Sequence, residues 1–159
     1  MKDTSVTFCV LGLPRPAGSK RAFAIKKQGQ PTGRIAVVDA CKDSREWKTI
    51  VSREAAIIMN EEHRKMFLGP VRLSAIFYMP RPKGHYRTGK QAAELRRTAP
   101  EFPITKPDLL KLTRAVEDAL TGIVWRDDAQ VVDQRLEKRY GRPSCTIQVE
   151  DLNADAIAG

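Results

Sequence analysis

A chain of 159 residues, 42% hydrophobic and 30% charged, fits one soluble globular domain that buries a real core. No apolar run approaches the roughly 18–20 residues needed to cross a bilayer. Three cysteines, Cys9, Cys41 and Cys145, are odd in number and form no CxxC pair, which argues against a disulfide framework and a zinc knuckle. The net charge of +9 and a pI near 9.7 draw polyanions. With no long basic amphipathic helix in view, nucleic acid is favoured over a membrane surface.

In chain order, Val6–Leu11 reads as a strand and not as a signal peptide, because no cleavage pattern follows it. Cys9 and Cys145 fall in alternating apolar segments and are expected to be buried free thiols, in keeping with a reducing, cytoplasmic setting. Pro14, Pro16 and Gly18 break the chain, and Ser19, Lys20 and Arg21 follow. A second strand is expected over Arg34–Val38, after a turn region at Gln28–Gly33. Asp43 or Ser44 can cap a helix running to about His63, with Trp47, Ile50, Val51, Ala55, Ile58 and Met59 on its apolar face. Val71–Tyr78 is a third strand.

Between Pro80 and Pro107 the composition changes. Five prolines accompany Arg81, Lys83, Arg87, Lys90, Arg96, Arg97 and Lys106, opposed only by Glu94 and Glu101. The reading is a long exposed basic loop with one helical turn near Gln91–Leu95; structureless stretches of this length are usually functional or disordered. A second helix is expected to begin near Pro107, bury Leu109, Leu112, Val116, Ala119 and Leu120, and stop at Gly122. Gln130–Lys138 is then a strand, and Cys145–Val149 is expected to return as its antiparallel partner. The pattern gives a single α+β domain over residues 1–153, a mixed β-sheet with helices on one face, followed by a frayed tail at 154–159.

The chemistry-bearing stretch runs from Lys106 to Val131. Asp108 stands at the entry of the second helix, Glu117 and Asp118 within it, and Asp127–Asp128 just beyond it. Carboxylates from two elements beside lysines and arginines suit a metal-assisted phosphodiesterase: hard divalent cations take oxygen ligands, acidify water and neutralise charge at phosphorus. Plain structural roles also exist. Asp108 suits the helix dipole, Asp127–Asp128 suit a turn, and Asp118 suits a solvated helix face.

In order and spacing, Lys106-Pro107-Asp108, Lys111-Leu112, Asp118-Ala119-Leu120-Thr121-Gly122 and Asp127-Asp128-Ala129-Gln130-Val131 resemble the signature of the RusA family of Holliday junction resolvases. The resemblance implies a RusA-like fold and a homodimer that binds four-way (branched) DNA junctions. It implies paired nicks in opposed strands with Mg²⁺, or Mn²⁺, held by aspartates, and a phage or prophage setting. Carried over by position, Asp108 and Asp128 are metal ligands and catalytic residues, with Asp127 beside them as a third metal ligand. Arg114 stands where the family often has a catalytic lysine. Lys20, Arg21, Arg81, Lys83, Arg87, Lys90, Arg96, Arg97, Lys106 and Lys111 are the expected DNA-binding residues.

One position departs from the pattern. Leu110 stands where the family has a second aspartate, and leucine cannot bind a cation. Glu117, Asp118 and Asp127 are the acids available as substitutes, although Glu117 lies about 10 Å further along the helix axis than position 110. A junction-binding protein of the same fold with weak or absent cleavage is the alternative from a different class. An RNA-binding protein of ribosomal type is disfavoured, because unscreened acids repel phosphate.

Overall fold

The computed structural model describes residues 4–18, 20–39 and 42–153; Cys41 and the 154–159 tail lie outside them. Eight main elements follow in order: β1 (Ser5–Leu11), β2 (Lys20–Lys27), β3 (Gln30–Asp39), α1 (Lys42–Glu61), β4 (Val71–Met79), α2 (Leu109–Leu120), β5 (Val131–Tyr140) and β6 (Ser144–Asp151). Strands β1, β6, β4 and β5, in that spatial order, form one mixed sheet, while β2 and β3 form a separate two-stranded ribbon. The α+β assignment holds.

Period-two alternation decides which face of the sheet is inside. Val71, Leu73, Ala75 and Phe77 of β4 are buried and share a face with Val6 and Val10 of β1 and Cys145, Ile147 and Val149 of β6. Trp47, Val51, Ala55 and Met59 of α1 and Leu112, Ala115, Val116, Ala119 and Leu120 of α2 cover that face. Cys145 is thus a core residue, and burial pushes its thiol up, with the Cys9 thiol a lesser cause. Cys9 is exposed, contrary to expectation, because its register places it on the opposite face of β1 from Val6 and Val10.

Two further expectations are corrected. Strand β6 does not pair with β5. It lies antiparallel between β1 and β4, and β5 runs parallel to β4 on the other side. A parallel neighbour needs a long crossover, which the 80–108 loop and α2 supply. The Gly141–Pro143 turn then carries the chain across the end of β4, with the Gly141 amide donating to the Met79 carbonyl (3.0 Å). Here only glycine fits: a Cβ at 141 would sit 2.9 Å from the Tyr78 ring. The second correction is β2, which the sequence left as a broken segment. It pairs with β3 through the turn residues Gln28 and Gly29, both at positive φ (51° and 80°), the conformation that tight hairpin turns require.

Helix α2 begins one turn position later than expected. Pro107 lies outside it, after a cis peptide bond from Lys106, and Asp108 is its N-cap residue without a side-chain capping bond. Its end agrees with the reading: Gly122 takes φ +84°, the left-handed position that stops helices.

Candidate active site

Site geometry starts from the turn between α2 and β5. The Asp127 carboxylate accepts from the Ala129 amide (2.9 Å), and the Gln130 side-chain oxygen accepts from the Arg126 and Asp127 amides (both 2.9 Å). This reciprocal capping box defines a short 3-10 turn over Asp128–Gln130. The Gln130 amide nitrogen donates to the Phe67 and Gly69 carbonyls (3.0 and 2.9 Å), tying the turn to the body. Beneath it Trp125 is fully buried, and its indole NH donates to the Thr121 hydroxyl (3.1 Å). Asp127 and Gln130 therefore hold the turn, while the Asp128 carboxylate stays exposed with no capping role.

The Asp128 charge acts on Glu117 of α2. The Glu117 carboxyl is held above the usual carboxylate range, first by burial and next by the Asp128 charge; Asp118 adds to the rise, while the Gln134 hydrogen bond and Arg114 oppose it. Gln134 sits on the helix-facing side of β5 and donates to Glu117 (2.5 Å). Arg114 is exposed one turn before Glu117, and Leu110, 72% exposed, is one turn earlier again. The side chains at 110, 114 and 117 thus form one ridge of α2. Asp118 points elsewhere and pairs with Lys48 of α1 at 2.7 Å, so it ties the two helices together.

Asp108 occupies the other end of the helix. Its carboxylate is exposed and faces Lys111 at 3.8 Å. Lys138 of β5 donates to the Thr105 and Pro107 carbonyls (2.7 and 3.0 Å) and fixes the approach to α2. Leu13, Pro14, Arg15, Lys106, Asp108 and Lys111 line one cleft there. Glu117 lies nine positions after Asp108, about 13 Å of rise, so the two acids mark opposite ends of the ridge. Among the described residues no three His, Cys, Asp or Glu side chains converge on a metal-sized point. Asp108, Asp127 and Asp128 are not assembled into a three-carboxylate cage within the chain.

The basic loop is ordered by its own side chains. Arg81 donates to the Pro100 carbonyl (2.7 Å) and lies 4.0 Å over the Tyr140 ring, which also meets His85 in a T-shaped contact with ring centroids 5.6 Å apart. Arg87 pairs with Gln91 and Glu94, and Arg96 donates to the Tyr86 carbonyl. One 3-10 turn spans Lys83–His85 and another Gly89–Gln91, slightly earlier than expected. Arg81, Arg87 and Arg96 thus have structural partners, while Lys83, Lys90, Arg97 and Lys106 stand exposed. Lys20 and Arg21 open β2; their side chains lie outside the described structure.

Gln130 was read only as part of the family signature, without a role of its own, and Gln134 escaped notice in the sequence. The first carried a readable signal, since a glutamine three residues after Asp127 is capping-box spacing. The second had only period two along β5, which does not by itself mark a polar residue as facing a helix.

A basic α+β domain carrying paired acids beside arginine and lysine has the make-up of a nuclease. The chain belongs to the RusA family: the family described as Endodeoxyribonuclease RusA matches residues 15–150. It is also similar to the uncharacterized protein YqaN of Bacillus subtilis (strain 168), at 30% identity over 156 residues, covering 94% of this chain and 98% of that one. Membership supports a nuclease of the Holliday junction resolvase type, a class that acts on branched DNA and is generally dependent on a divalent metal. Among the described residues no helix is long and apolar enough to cross a membrane.

Proposed function

We propose that the chain cuts four-way DNA junctions by paired nicks in opposed strands, as a homodimer, with Mg²⁺ or Mn²⁺ at the Asp128 end of α2. The observation that carries this reading is membership of the RusA family, together with the Glu117 carboxylate of α2, held by Gln134, and the exposed Asp128 carboxylate in the turn that follows the helix. Like charges that act on one another favour a cation between them. Mg²⁺ commonly takes only one or two protein carboxylates and completes its sphere with water and substrate phosphate. Glu117 and Asp128 therefore suit it without a third acid, and Glu117 offsets the charge that Leu110 removes. When bound, such a cation neutralises charge at the scissile phosphate and acidifies a water.

The chain's own residues do the rest. Arg114 lies on the same ridge and forks onto a phosphate oxygen, holding the backbone against the acids; unlike lysine, it does not release a proton at neutral pH. Gln134 fixes the Glu117 carboxylate through its hydrogen bond. Lys106 and Lys111, beside Asp108, receive the strand further along the helix. Lys83, Lys90 and Arg97 add positive surface on the loop.

The decisive experiment is a mobile four-way junction incubated with protein in Mg²⁺, Mn²⁺ or EDTA. Symmetric nicks only with metal are expected. Shifted complexes that never convert to nicked duplex would assign the chain to the non-cleaving alternative.

Leu110→Asp provides a second expectation. The side chain is 72% exposed and α2 has no acid in its first turn. A new carboxylate there is favoured by the helix dipole and gives up little packing, so the melt should move by under about 1 kcal/mol. Adding negative charge to the ridge should lower the Mg²⁺ needed for half-maximal cutting. A lower melt without gained activity would show that Leu110 supports the site as it stands.

A further inference from the structure

The β2–β3 ribbon stands outside the main sheet, and among the described elements its appreciable packing is against α1 alone. Eight residues of β2 at about 3.3 Å each make an arm roughly 25 Å long. Its sequence from Lys20 to Asp39 holds Lys20, Arg21, Lys26, Lys27 and Arg34 and one acid, Asp39, which stands opposite Lys20 in register at the root. Lys26, Lys27 and Arg34 are exposed near the tip and have no acidic partner among the described residues.

The tip is shaped as well as charged. Register slips between Ala24 and Lys26, Gly33 adopts φ +72°, and the Thr32 hydroxyl donates to the Ile25 carbonyl (2.7 Å), locking the irregularity. The segment that leads into the arm adjoins the Asp108 end of α2. The Ala17 amide donates to the Lys111 carbonyl (2.9 Å), and Pro14 and Arg15 share a cleft with Asp108.

We propose that this ribbon is a duplex-gripping arm: it lies along one arm of a branched DNA, with Lys26, Lys27 and Arg34 on backbone phosphates. The inference rests on the reading of the chain as a DNA-acting nuclease and adds the element that holds the flanking duplex. A two-stranded ribbon has the width to enter the major groove. The described tip residues include cations, glutamines and threonine, which suit phosphate contacts that position a protein without reading sequence. Exposed Ile25 and Ile35 are the features that would instead suit a second copy of the chain.

The test compares wild type with a Lys26→Gln, Lys27→Gln, Arg34→Gln variant. Binding to an immobile four-way junction in EDTA is measured between about 50 and 200 mM salt, where phosphate contacts dominate the salt dependence. Each lost contact should flatten the log–log slope by about 0.9, up to about 2.7 for all three. Restoring charge as Lys26→Arg, Lys27→Arg with native Arg34 should return the wild-type slope. A melt in parallel keeps the comparison to folded protein. An unchanged slope overturns the inference, and an unchanged slope with an altered sedimentation mass gives the ribbon to a second copy. Wild type that binds no DNA removes the nuclease reading itself, a failure visible before any substitution is made.

Discussion

Asp128→Asn is expected to lower junction cleavage by roughly a thousand-fold, the loss that follows from several kcal/mol of transition-state charge stabilisation. Asparagine keeps the shape of the side chain and removes the charge that holds the cation. The turn should survive, because its capping bonds are made by Asp127 and Gln130 and none uses the Asp128 carboxylate. Binding should be retained or become tighter, since one negative charge near the phosphates is gone. Asp127→Asn is the matched control. Its remaining oxygen can still accept from the Ala129 amide, so cleavage should fall by less than about tenfold. Single-turnover cleavage beside a gel shift in EDTA separates the two substitutions. If Asp128→Asn cuts as fast as wild type, Asp128 has no part in the mechanism.

That contrast between neighbouring aspartates was not legible in the sequence, where both simply follow a helix. What the sequence held well was periodicity. The buried stripe of α2, the apolar face of α1 and the alternation of β4 all follow from spacing, because burial acts on the period of the element. The exposure of Leu110 has the same origin, since it is rotated about 100° from Leu109. Pairing was harder. A glycine–proline turn between two alternating strands reads as a hairpin, and only the tertiary position of β4 shows that the chain steps over it. The first strand of the ribbon was hidden because Lys20–Lys27 packs little against the body and so carries no clean inside–outside alternation. At the site, the sequence supplied the acids and their order but not their partners. Asp118 and Glu117 are adjacent, yet about 100° of helix rotation sends one to Lys48 and the other to Asp128 and Gln134.

Glu117→Gln tests that division most directly. Cleavage should fall by roughly a hundredfold or more if the carboxylate helps hold the cation, while the amide oxygen of glutamine can still accept from Gln134 and keep the ridge in place. Stability should move in the opposite direction. The Glu117 carboxyl is raised in the folded chain, chiefly by burial and then by Asp128. The folded state therefore binds this proton more tightly than the unfolded state. Stability is lost as pH rises from the ordinary glutamate value through the raised folded one, and above that interval the whole penalty is present. Glutamine removes the penalty, so the variant should melt slightly higher than wild type at neutral pH and equally below the ordinary glutamate range. Because Glu117 is only half buried, solvent screening keeps the gain to a fraction of about 1 kcal/mol. Added Mg²⁺ should raise the melt of wild type through linkage and leave Glu117→Gln nearly unmoved. A variant that melts higher, loses its response to Mg²⁺ and no longer cuts would place Glu117 at the cation. One that cuts with wild-type Mg²⁺ demand would mean that Glu117 is only a strained neighbour of Asp128, and that the missing charge at Leu110 is supplied by Asp108 or by a second subunit.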